Sequence, residues 1–296
     1  MSLLTPIKVP VKVYKWDDVG APALDKSVGC VSTIFKSCLV TGYGTKTGAG
    51  WTMPFGDTAS GVKVLRPEVS SHTDFYLRLS GDTGTEVAAQ VYLNMTDVST
   101  GDLKLQCDTP FKYAKANSTG KWLLIASSRG VWFFCDQRFS DGNPTKTSAF
   151  FYVGDVYAAS PISSAVMLNH SGGTANDGAY NNIFGLTLNA VVDKNAARFV
   201  PAKMLTNNTD VIVVQPFALT NGTDELTTDA HISPVCVIAS KQLYFMPGAF
   251  VPTNGANKNN YDTVVVDTAQ SAQAIVASTG GRVSSNLYIS TDNWEA

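Results

Sequence analysis

The stretch Trp122–Cys135, which reads WLLIASSRGVWFFC, indicates the fold class of this chain. Two apolar runs rich in aromatic and branched residues flank the turn-forming residues Ser127–Gly130, and a glycine at the end of such a turn can take a positive φ. This pattern predicts a β-hairpin. Since successive side chains of a strand point to opposite faces of the sheet, the neighbours Phe133 and Phe134 face opposite sides, and at least one of them belongs to the core.

The same pattern recurs along most of the 296 residues. Further strands are predicted over Val62–Leu65, Phe75–Leu79, Val87–Leu93, Phe150–Val153, Ile183–Leu188, Val211–Pro216, Val235–Ala239, Gln242–Met246, Thr263–Val266, Ala274–Ala277 and Leu287–Ile289. Their spacing predicts a mainly β protein with sandwich-like or barrel-like sheets. Because apolar residues become sparse after residue 158, the prediction admits two β domains: an N-terminal β-rich domain over 1–160, a loop or junction over 161–182, and a C-terminal β domain over 183–296.

One short amphipathic helix is predicted near the N-terminus, over residues 27–40. Its apolar residues are spaced three and four apart, as on one face of a helix, and they are Val28, Val31, Ile34, Phe35, Cys38 and Leu39. Asp25 or Ser27 can cap the start, Gly29 weakens the first turn, and Gly42 is the permissive residue just past the end. We expect this helix to pack on a sheet.

The charge of the chain restricts its partners. Charged residues make up 16% of the sequence, against roughly 25% in an average domain, and the formal net charge is −2 at pH 7. Nucleic-acid binders gain affinity from clustered lysines and arginines, whereas no basic run here exceeds a pair, so we expect no direct nucleic-acid binding. The sequence has no apolar run of about 18 residues and no signal peptide over residues 1–15, which predicts a protein made in a cytosol without a membrane span.

The sequence predicts no catalytic residue, metal site or cofactor. None of the five cysteines forms a CxxC pair, and none of the three histidines forms an HxH or HExxH motif. We interpret the cysteines as small buried thiols. The closest grouping of possible metal ligands, which we interpret as a solvated loop, consists of Asp224, Glu225, Asp229 and His231.

Three other stretches match known ligand-binding motifs only in part. The glycine-rich run Gly42–Gly48 has Thr45 where a phosphate-binding loop needs a glycine before its lysine, and it follows a helix instead of preceding one. The run Asp136–Asp141 lacks the alternating oxygen ligands of a calcium loop, so we interpret it as a turn. Four aromatic residues could stack on a sugar or a base, but a position in the core or in a subunit contact is favoured for them; they are Trp122, Trp132, Phe133 and Phe134.

The segment after the predicted helix has a distinctive sequence. It reads Cys38-Leu39-Val40-x-Gly42-Tyr43-Gly44-x-Lys46-x-x-Ala49-Gly50-Trp51-Thr52 and comes after an Ala21-Pro22-Ala23-Leu24 turn and the helix. This arrangement resembles a segment of a family of tailed-bacteriophage and prophage virion structural proteins. Similar segments follow in the same order at Phe75–Leu79, Met95–Gly101, Trp122–Ala126 and Tyr152–Val156, with weaker matches at Ile232–Val235 and Met246–Gly248. The resemblance covers most of the first 160 residues.

The resemblance implies a part of a phage particle, in the head, neck or tail, that is made in the cytoplasm of the host bacterium and has other virion proteins as partners. It supplies no catalytic residue. Within the resembling segment we predict a structural joint formed by Gly42, Tyr43, Gly44, Lys46, Gly50 and Trp51. The glycines turn the chain sharply, and the large apolar surface of Trp51 covers the helix end.

Three functions are considered at this stage. The favoured one is a non-enzymatic virion structural protein that works through protein–protein contacts in a homo-oligomer or a ring, since a weakly charged surface lets identical subunits associate. The second is a receptor- or carbohydrate-binding module of a phage tail that uses exposed aromatic side chains together with asparagine and aspartate side chains. The third is a glycan hydrolase, which needs two carboxylates about 5–10 Å apart.

Overall fold

The computed structural model describes residues 7–69, 74–106, 110–114, 118–137, 147–157, 164–170, 202–204, 212–214, 232–239, 242–252, 261–267, 270–278 and 285–295. The described residues form mostly strands, arranged in antiparallel sheets, with one short helix, so the predicted mainly β fold is confirmed. Helix α1 spans Cys30–Lys36 and continues into a π-helical turn over Ser37–Thr41.

The strands, in chain order, are β1 Lys8–Pro10, β2 Lys12–Lys15, β3 Thr52–Gly56, β4 Lys63–Arg66, β5 Tyr76–Ser80, β6 Glu86–Leu93, β7 Asp102–Gln106, β8 Phe111–Lys112, β9 Trp122–Ala126, β10 Gly130–Gln137, β11 Thr147–Val156, β12 Ser164–His170, β13 Ala202–Met204, β14 Ile212–Val214, β15 Ile232–Ala239, β16 Gln242–Pro252, β17 Thr263–Asp267, β18 Gln270–Ser278, β19 Ser285–Ser290 and β20 Asn293–Glu295. Every strand predicted within the described residues overlaps one of these.

Three six-stranded antiparallel sheets contain nearly all of these strands. The N-terminal sheet has the order β3-β4-β5-β6-β7, with β8 also paired to β6; the central sheet has the order β13-β12-β11-β10-β9-β2; and the C-terminal sheet has the order β14-β15-β16-β19-β18-β17. Strands β1 and β20 form a separate two-stranded ribbon. The first described strand of the chain therefore pairs with the last one.

The central sheet is buried on both faces and separates two cores. The first core lies between this sheet and the N-terminal sheet, includes helix α1, and contains among others Phe35, Leu77, Phe111, Phe133 and Phe151. The second core lies between the central and C-terminal sheets and contains among others Ile125, Trp132, Phe134, Met246 and Ile289. All five residues of β9 are buried. Burial on both faces of the sheet explains why this strand is apolar at every position and does not alternate between apolar and polar residues. The sheets thus stack in sandwich-like layers.

The helix begins later than the sequence predicts. Gly29 occupies the position before the first helical turn with a φ of 85°, a left-handed conformation that helical residues do not adopt. Val28 therefore lies outside the helix and is 83% exposed, although it fits the apolar spacing. The predicted caps also differ: the carboxylate of Asp25 accepts hydrogen bonds from the backbone and side chain of Ser27, at 3.0 and 2.6 Å, and no side chain caps α1 from Gly29.

The expected packing of the helix on a sheet is confirmed. The ring of Phe35 lies 5.2 Å from that of Phe133 and 6.0 Å from that of Phe151, centroid to centroid. Both partners belong to strands of the central sheet. This contact fixes α1 inside the first core.

The junction predicted over residues 161–182 contains a strand. Residues Ser164–His170 form β12, which pairs with β11 in the central sheet, so this part of the predicted loop or junction is a strand. Residues 171–182 and the predicted strand Ile183–Leu188 lie outside the described residues. The division into two domains stays a prediction, while described residues from both sides of it share the second core.

Candidate functional site

The predicted joint begins with a tight turn after the π-helical turn. The backbone N–H of Tyr43 donates to the carbonyl of Lys46 at 3.0 Å, and the N–H of Lys46 donates back at 2.9 Å. Gly42, on one side of this pair, has a φ of 76°, and a Cβ there would lie 2.2 Å from the carbonyl oxygen of Lys46. Gly44, inside the turn, has a φ of 55°, and its Cβ would lie 2.2 Å from the carbonyl oxygen of Val19. Both conformation and space therefore require glycine at these two positions.

The chain then returns along the helix end. The last carbonyls of a helix have no partner within it, and here the carbonyls of Cys38 and Leu39 accept hydrogen bonds from the backbone N–H groups of Ala49 and Trp51, at 3.0 and 3.1 Å. The returning segment thus satisfies backbone groups that the end of the helix leaves open.

Asp18 connects the joint to the loop that follows strand β2. Its Oδ2 atom accepts hydrogen bonds from the Lys46 ammonium at 2.5 Å, from the Tyr43 hydroxyl at 2.7 Å and from the backbone N–H of Lys15 at 2.8 Å. Lys46 also donates to the carbonyl of Val13, at 2.7 Å. Partial burial favours a higher pKa for the Asp18 carboxyl, but these hydrogen bonds and the Lys46 charge together hold its pKa below the usual value.

Further contacts attach strand β2 itself to the turn. The hydroxyl of Tyr14 donates to the carbonyl of Thr47 at 2.7 Å, and its ring lies 5.8 Å from that of Tyr43. The ammonium of Lys12 donates to Thr47 Oγ1 and to the carbonyl of Gly48, both at 2.7 Å. Burial raises the pKa of both tyrosines, so their hydroxyls stay protonated donors at neutral pH. The turn is therefore cross-linked to β2 at several points.

Gly50 and Trp51 lie against the β9–β10 turn. The indole N–H of Trp51 donates to the carbonyl of Ser127 at 3.0 Å, and its ring lies 6.1 Å from that of Phe75 in an edge-on arrangement. A Cβ on Gly50 would lie 3.6 Å from the Cβ of Ser128. Trp51 is only 3% exposed. It reaches the helix end through its backbone, whereas its side chain joins the first core to the hairpin.

The structure therefore divides the six predicted residues into two neighbouring contacts. Gly42, Tyr43, Gly44 and Lys46 form the turn that binds Asp18 and β2, and the remaining two bind the hairpin. The sequence analysis missed Asp18. No pattern in the sequence distinguishes it from the preceding Asp17, because its side-chain partners Tyr43 and Lys46 are more than 20 residues away.

A second polar cluster, at the start of helix α1, was also missed. The Oδ2 atom of Asp82 accepts a hydrogen bond from the backbone N–H of Ser32 at 2.7 Å, and its Oδ1 atom accepts one from the Tyr113 hydroxyl. The carbonyl of Asp82 accepts the N–H of Gly29 at 3.0 Å. This residue is 7% exposed and caps the helix from a distant loop. Burial, reinforced by the Asp82 carboxylate, raises the pKa of Tyr113, which keeps its hydroxyl protonated as a donor.

This cluster contains a serine–lysine pair, an arrangement that some hydrolases use as nucleophile and base. The ammonium of Lys63 donates to Ser32 Oγ at 2.8 Å, and burial lowers the pKa of this lysine. Ser32, however, is fully buried and donates its own hydroxyl proton to the carbonyl of Gly29, at 3.1 Å. A substrate has no access to such a hydroxyl, so we interpret the pair as part of the helix cap.

The aromatic and sulfur-containing candidates are core residues. The four aromatic residues considered as a ligand platform have no exposed surface, so the favoured interpretation is confirmed for Trp122, Trp132, Phe133 and Phe134. The prediction of buried, unbridged thiols is confirmed for Cys30, Cys38, Cys135 and Cys236, whereas Cys107 lies outside the described residues. These four residues therefore do not supply the exposed aromatic side chains that the carbohydrate-binding alternative needs.

The turn predicted over Asp136–Asp141 is wrong for Asp136 and Gln137, because both residues belong to strand β10. Asp136 is 5% exposed and accepts hydrogen bonds from Thr119 and Tyr261, at 3.1 and 3.0 Å. Residues 138–146 and the grouping around Asp224–His231 lie outside the described residues. Within the described part of the chain, no three His, Cys, Asp or Glu residues form a group that could hold a metal ion.

Comparison with known proteins leaves the site to be interpreted from its own geometry. No family model matches the chain, and no curated protein matches it. Among the residues that the structure describes, no helix has the length and apolar character needed to cross a membrane.

Proposed function

We propose that this protein is a structural component of a tailed-bacteriophage particle, in its head, neck or tail, and that it works through protein–protein contacts without catalysing a reaction. Two observations support the proposal. The segment Cys38–Thr52 resembles virion structural proteins in sequence, and its side chains hold separate parts of the fold together.

The second observation carries the proposal. The Lys46 ammonium donates to Asp18 and Val13, the Tyr43 hydroxyl donates to Asp18, and the Trp51 indole donates to Ser127. In a catalytic or ligand-binding site such groups converge on a cleft where they meet a substrate. Here they connect helix α1, strand β2 and the β9–β10 turn, which is what a structural joint does.

The layered architecture favours the same function. A particle protein repeats its shape in many copies, and a densely packed interior resists deformation. The central sheet meets this need because its two faces are covered by separate cores. The low proportion of charged residues, 16%, limits repulsion between copies.

The proposal names further copies of this chain and other virion proteins as partners. It places the protein in the mature virion after synthesis in the cytoplasm of the host bacterium, and it assigns no cofactor, membrane or nucleic-acid partner.

Peptide mass spectrometry on purified particles tests the proposal. Particles of the phage or prophage that encodes the chain are separated into heads and tails, and a lysate of the producing cells shows that the protein is made. We expect its peptides in one of the two fractions, at several copies per particle. Their absence from mature particles, despite their presence in the lysate, would overturn the proposal.

A further inference from the structure

Strand β2 is the last strand of the central sheet among the described strands, with β9 on one side of it. In an antiparallel pair, the backbone N–H and C=O groups of every second residue point toward the partner strand, and those of the residues between point away from it. The N–H of Trp16, one residue past β2, donates to the carbonyl of Trp122 in β9 at 3.2 Å. Because Trp16 points toward β9, Val13 and Lys15 direct their backbone groups to the outer edge of the sheet.

Side chains and backbone of the same chain occupy these outward groups. The carbonyl of Val13 accepts a hydrogen bond from the Lys46 ammonium at 2.7 Å. The N–H of Lys15 donates to Asp18 Oδ2 at 2.8 Å, and its carbonyl accepts the N–H of Asp18 at 3.2 Å. A strand from another chain would have to displace these bonds before it could pair with β2.

The outer edge is also covered just before the strand begins. Val11 points the same way as Val13, and its N–H donates to the carbonyl of Asp292 at 3.1 Å. Asp292 lies between strands β19 and β20. Bonds from three separate segments of the chain therefore follow one another along the edge.

Two of these bonds depend on side chains that solvent reaches. The side chains of Lys46 and Asp18 are 35% and 21% exposed, and they bind each other at 2.5 Å. Their substitution therefore frees the carbonyl of Val13 and the N–H of Lys15 without removing a core residue.

We infer that Asp18 and Lys46 protect the outer edge of β2 from pairing with a strand of another chain. Unpaired backbone groups along a sheet edge are a site where further strands add, and proteins protect such edges. When these groups already have partners, an added strand gains little, because its new hydrogen bonds replace existing ones. The inference goes beyond the proposed function, since it concerns a contact that the protein prevents, and it holds or fails independently of particle membership.

A double variant, Asp18→Ala with Lys46→Met, tests the inference in the full chain. It removes one negative and one positive charge, so the formal net charge stays at −2. Because Lys12 and Lys15 of β2 also oppose pairing by their charge, analytical ultracentrifugation is carried out in about 0.5 M salt, which screens exposed charges. We expect the double variant to form larger species than the parent and to reach half-association at a concentration about tenfold lower.

The matched control is the double variant Arg66→Met with Asp74→Ala. This ion pair has an N–O distance of 2.8 Å and the same two charges, but its hydrogen bonds join side chains only, and Arg66 belongs to β4, an inner strand of its sheet. We expect it to sediment like the parent. Circular dichroism checks that every variant is folded, and Lys46→Met alone, which leaves Asp18 in place, is measured as the milder change in case the double variant unfolds.

Adding Val13→Pro to the edge-opening variant distinguishes edge pairing from a general loss of stability. Proline cannot donate to an added strand, and the N–H of residue 13 points away from β9, so the β2–β9 hydrogen bonds are kept. We expect proline to return the variant to the species that the parent forms. Opened variants that sediment like the parent, a control that associates as strongly as they do, or association that persists with proline in a folded protein would each overturn the inference.

Discussion

Replacing Trp51 by alanine tests whether the joint holds the fold together. The side chain is 3% exposed and belongs to the first core. Truncating a buried tryptophan costs about 3–5 kcal/mol of unfolding free energy, because both the transfer of the ring and the cavity left behind contribute. The substitution also removes the indole hydrogen bond to the carbonyl of Ser127 and the edge-on contact with Phe75.

A second substitution, Trp51→Phe, separates the hydrogen bond from the packing. Phenylalanine keeps most of the apolar ring but leaves the buried carbonyl of Ser127 without its indole donor, which costs about 1–3 kcal/mol. We therefore expect Trp51→Phe to lie between the parent and Trp51→Ala in stability. The exposed Val28→Ala is the matched control, for which a surface position predicts a change within about 0.5 kcal/mol.

Urea unfolding followed by far-ultraviolet circular dichroism measures these differences. The transition midpoints are compared at equal slopes, because an unchanged slope shows that the variants expose a similar surface on unfolding. A Trp51→Ala protein within about 1 kcal/mol of the parent would refute the reasoning, since a removable side chain cannot hold the helix end and the hairpin together.

The remaining predictions concern a cap, a turn and an ion pair. Asp82→Ala leaves the buried donors at the helix start without an acceptor and is expected to lower the unfolding free energy by about 1–3 kcal/mol, whereas Asp25→Ala changes it by less than about 0.5 kcal/mol; urea unfolding compares them. Gly42→Ala is expected to cost more than Gly61→Ala in thermal unfolding, because both glycines have positive φ, 76° and 68°, but only at Gly42 would a Cβ meet backbone, while nothing lies within 4 Å at Gly61. The pKa of Asp18 is lowered in the folded protein, so its stabilising effect is present above the pKa of the unfolded chain and is lost as the pH falls through the folded value. Asp18→Asn should therefore destabilise the protein more at pH 7 than near pH 2, as acid titration of stability would show.

Each of these predictions has a contrary result. If Asp82→Ala and Asp25→Ala lowered the unfolding free energy by the same amount, Asp82 would not be the cap of the helix. If Gly42→Ala and Gly61→Ala lowered the thermal stability equally, the positive φ alone would set the cost, and the close backbone contact at Gly42 would not contribute. A stability difference between Asp18→Asn and the parent that is the same at both pH values would contradict a role for the carboxylate charge.

The layered fold was predictable where a strand carries its own pattern. On both sides of its turn, the run Trp122–Cys135 is apolar at every position, which is the pattern of a sheet covered on both faces, and Phe133 and Phe134 indeed enter different cores. The short strands β1, β2 and β20 carry no such pattern. Strand β2 pairs with β9 through Tyr14 and Leu124, which are more than 100 residues apart, and β1, the first described strand, pairs with β20, the last.

The helix boundary shows why a periodic pattern locates an element better than its ends. Val28 fits the apolar spacing, but the left-handed conformation of Gly29 delays the start of the helix to Cys30. A prediction from sequence also looks for the capping residue directly next to the helix. The actual acceptor, Asp82, is 50 residues away from the Ser32 N–H that it binds, and only the packing of the N-terminal sheet brings it there.

The turn of the joint was predictable because glycines in a sequence often mark positions where the backbone has a positive φ. Gly42 and Gly44 have positive φ and close backbone neighbours, which no residue with a side chain accommodates without strain. The acceptor of the turn, Asp18, could not be chosen from the sequence, because the choice depends on how β2 is placed beside the helix end.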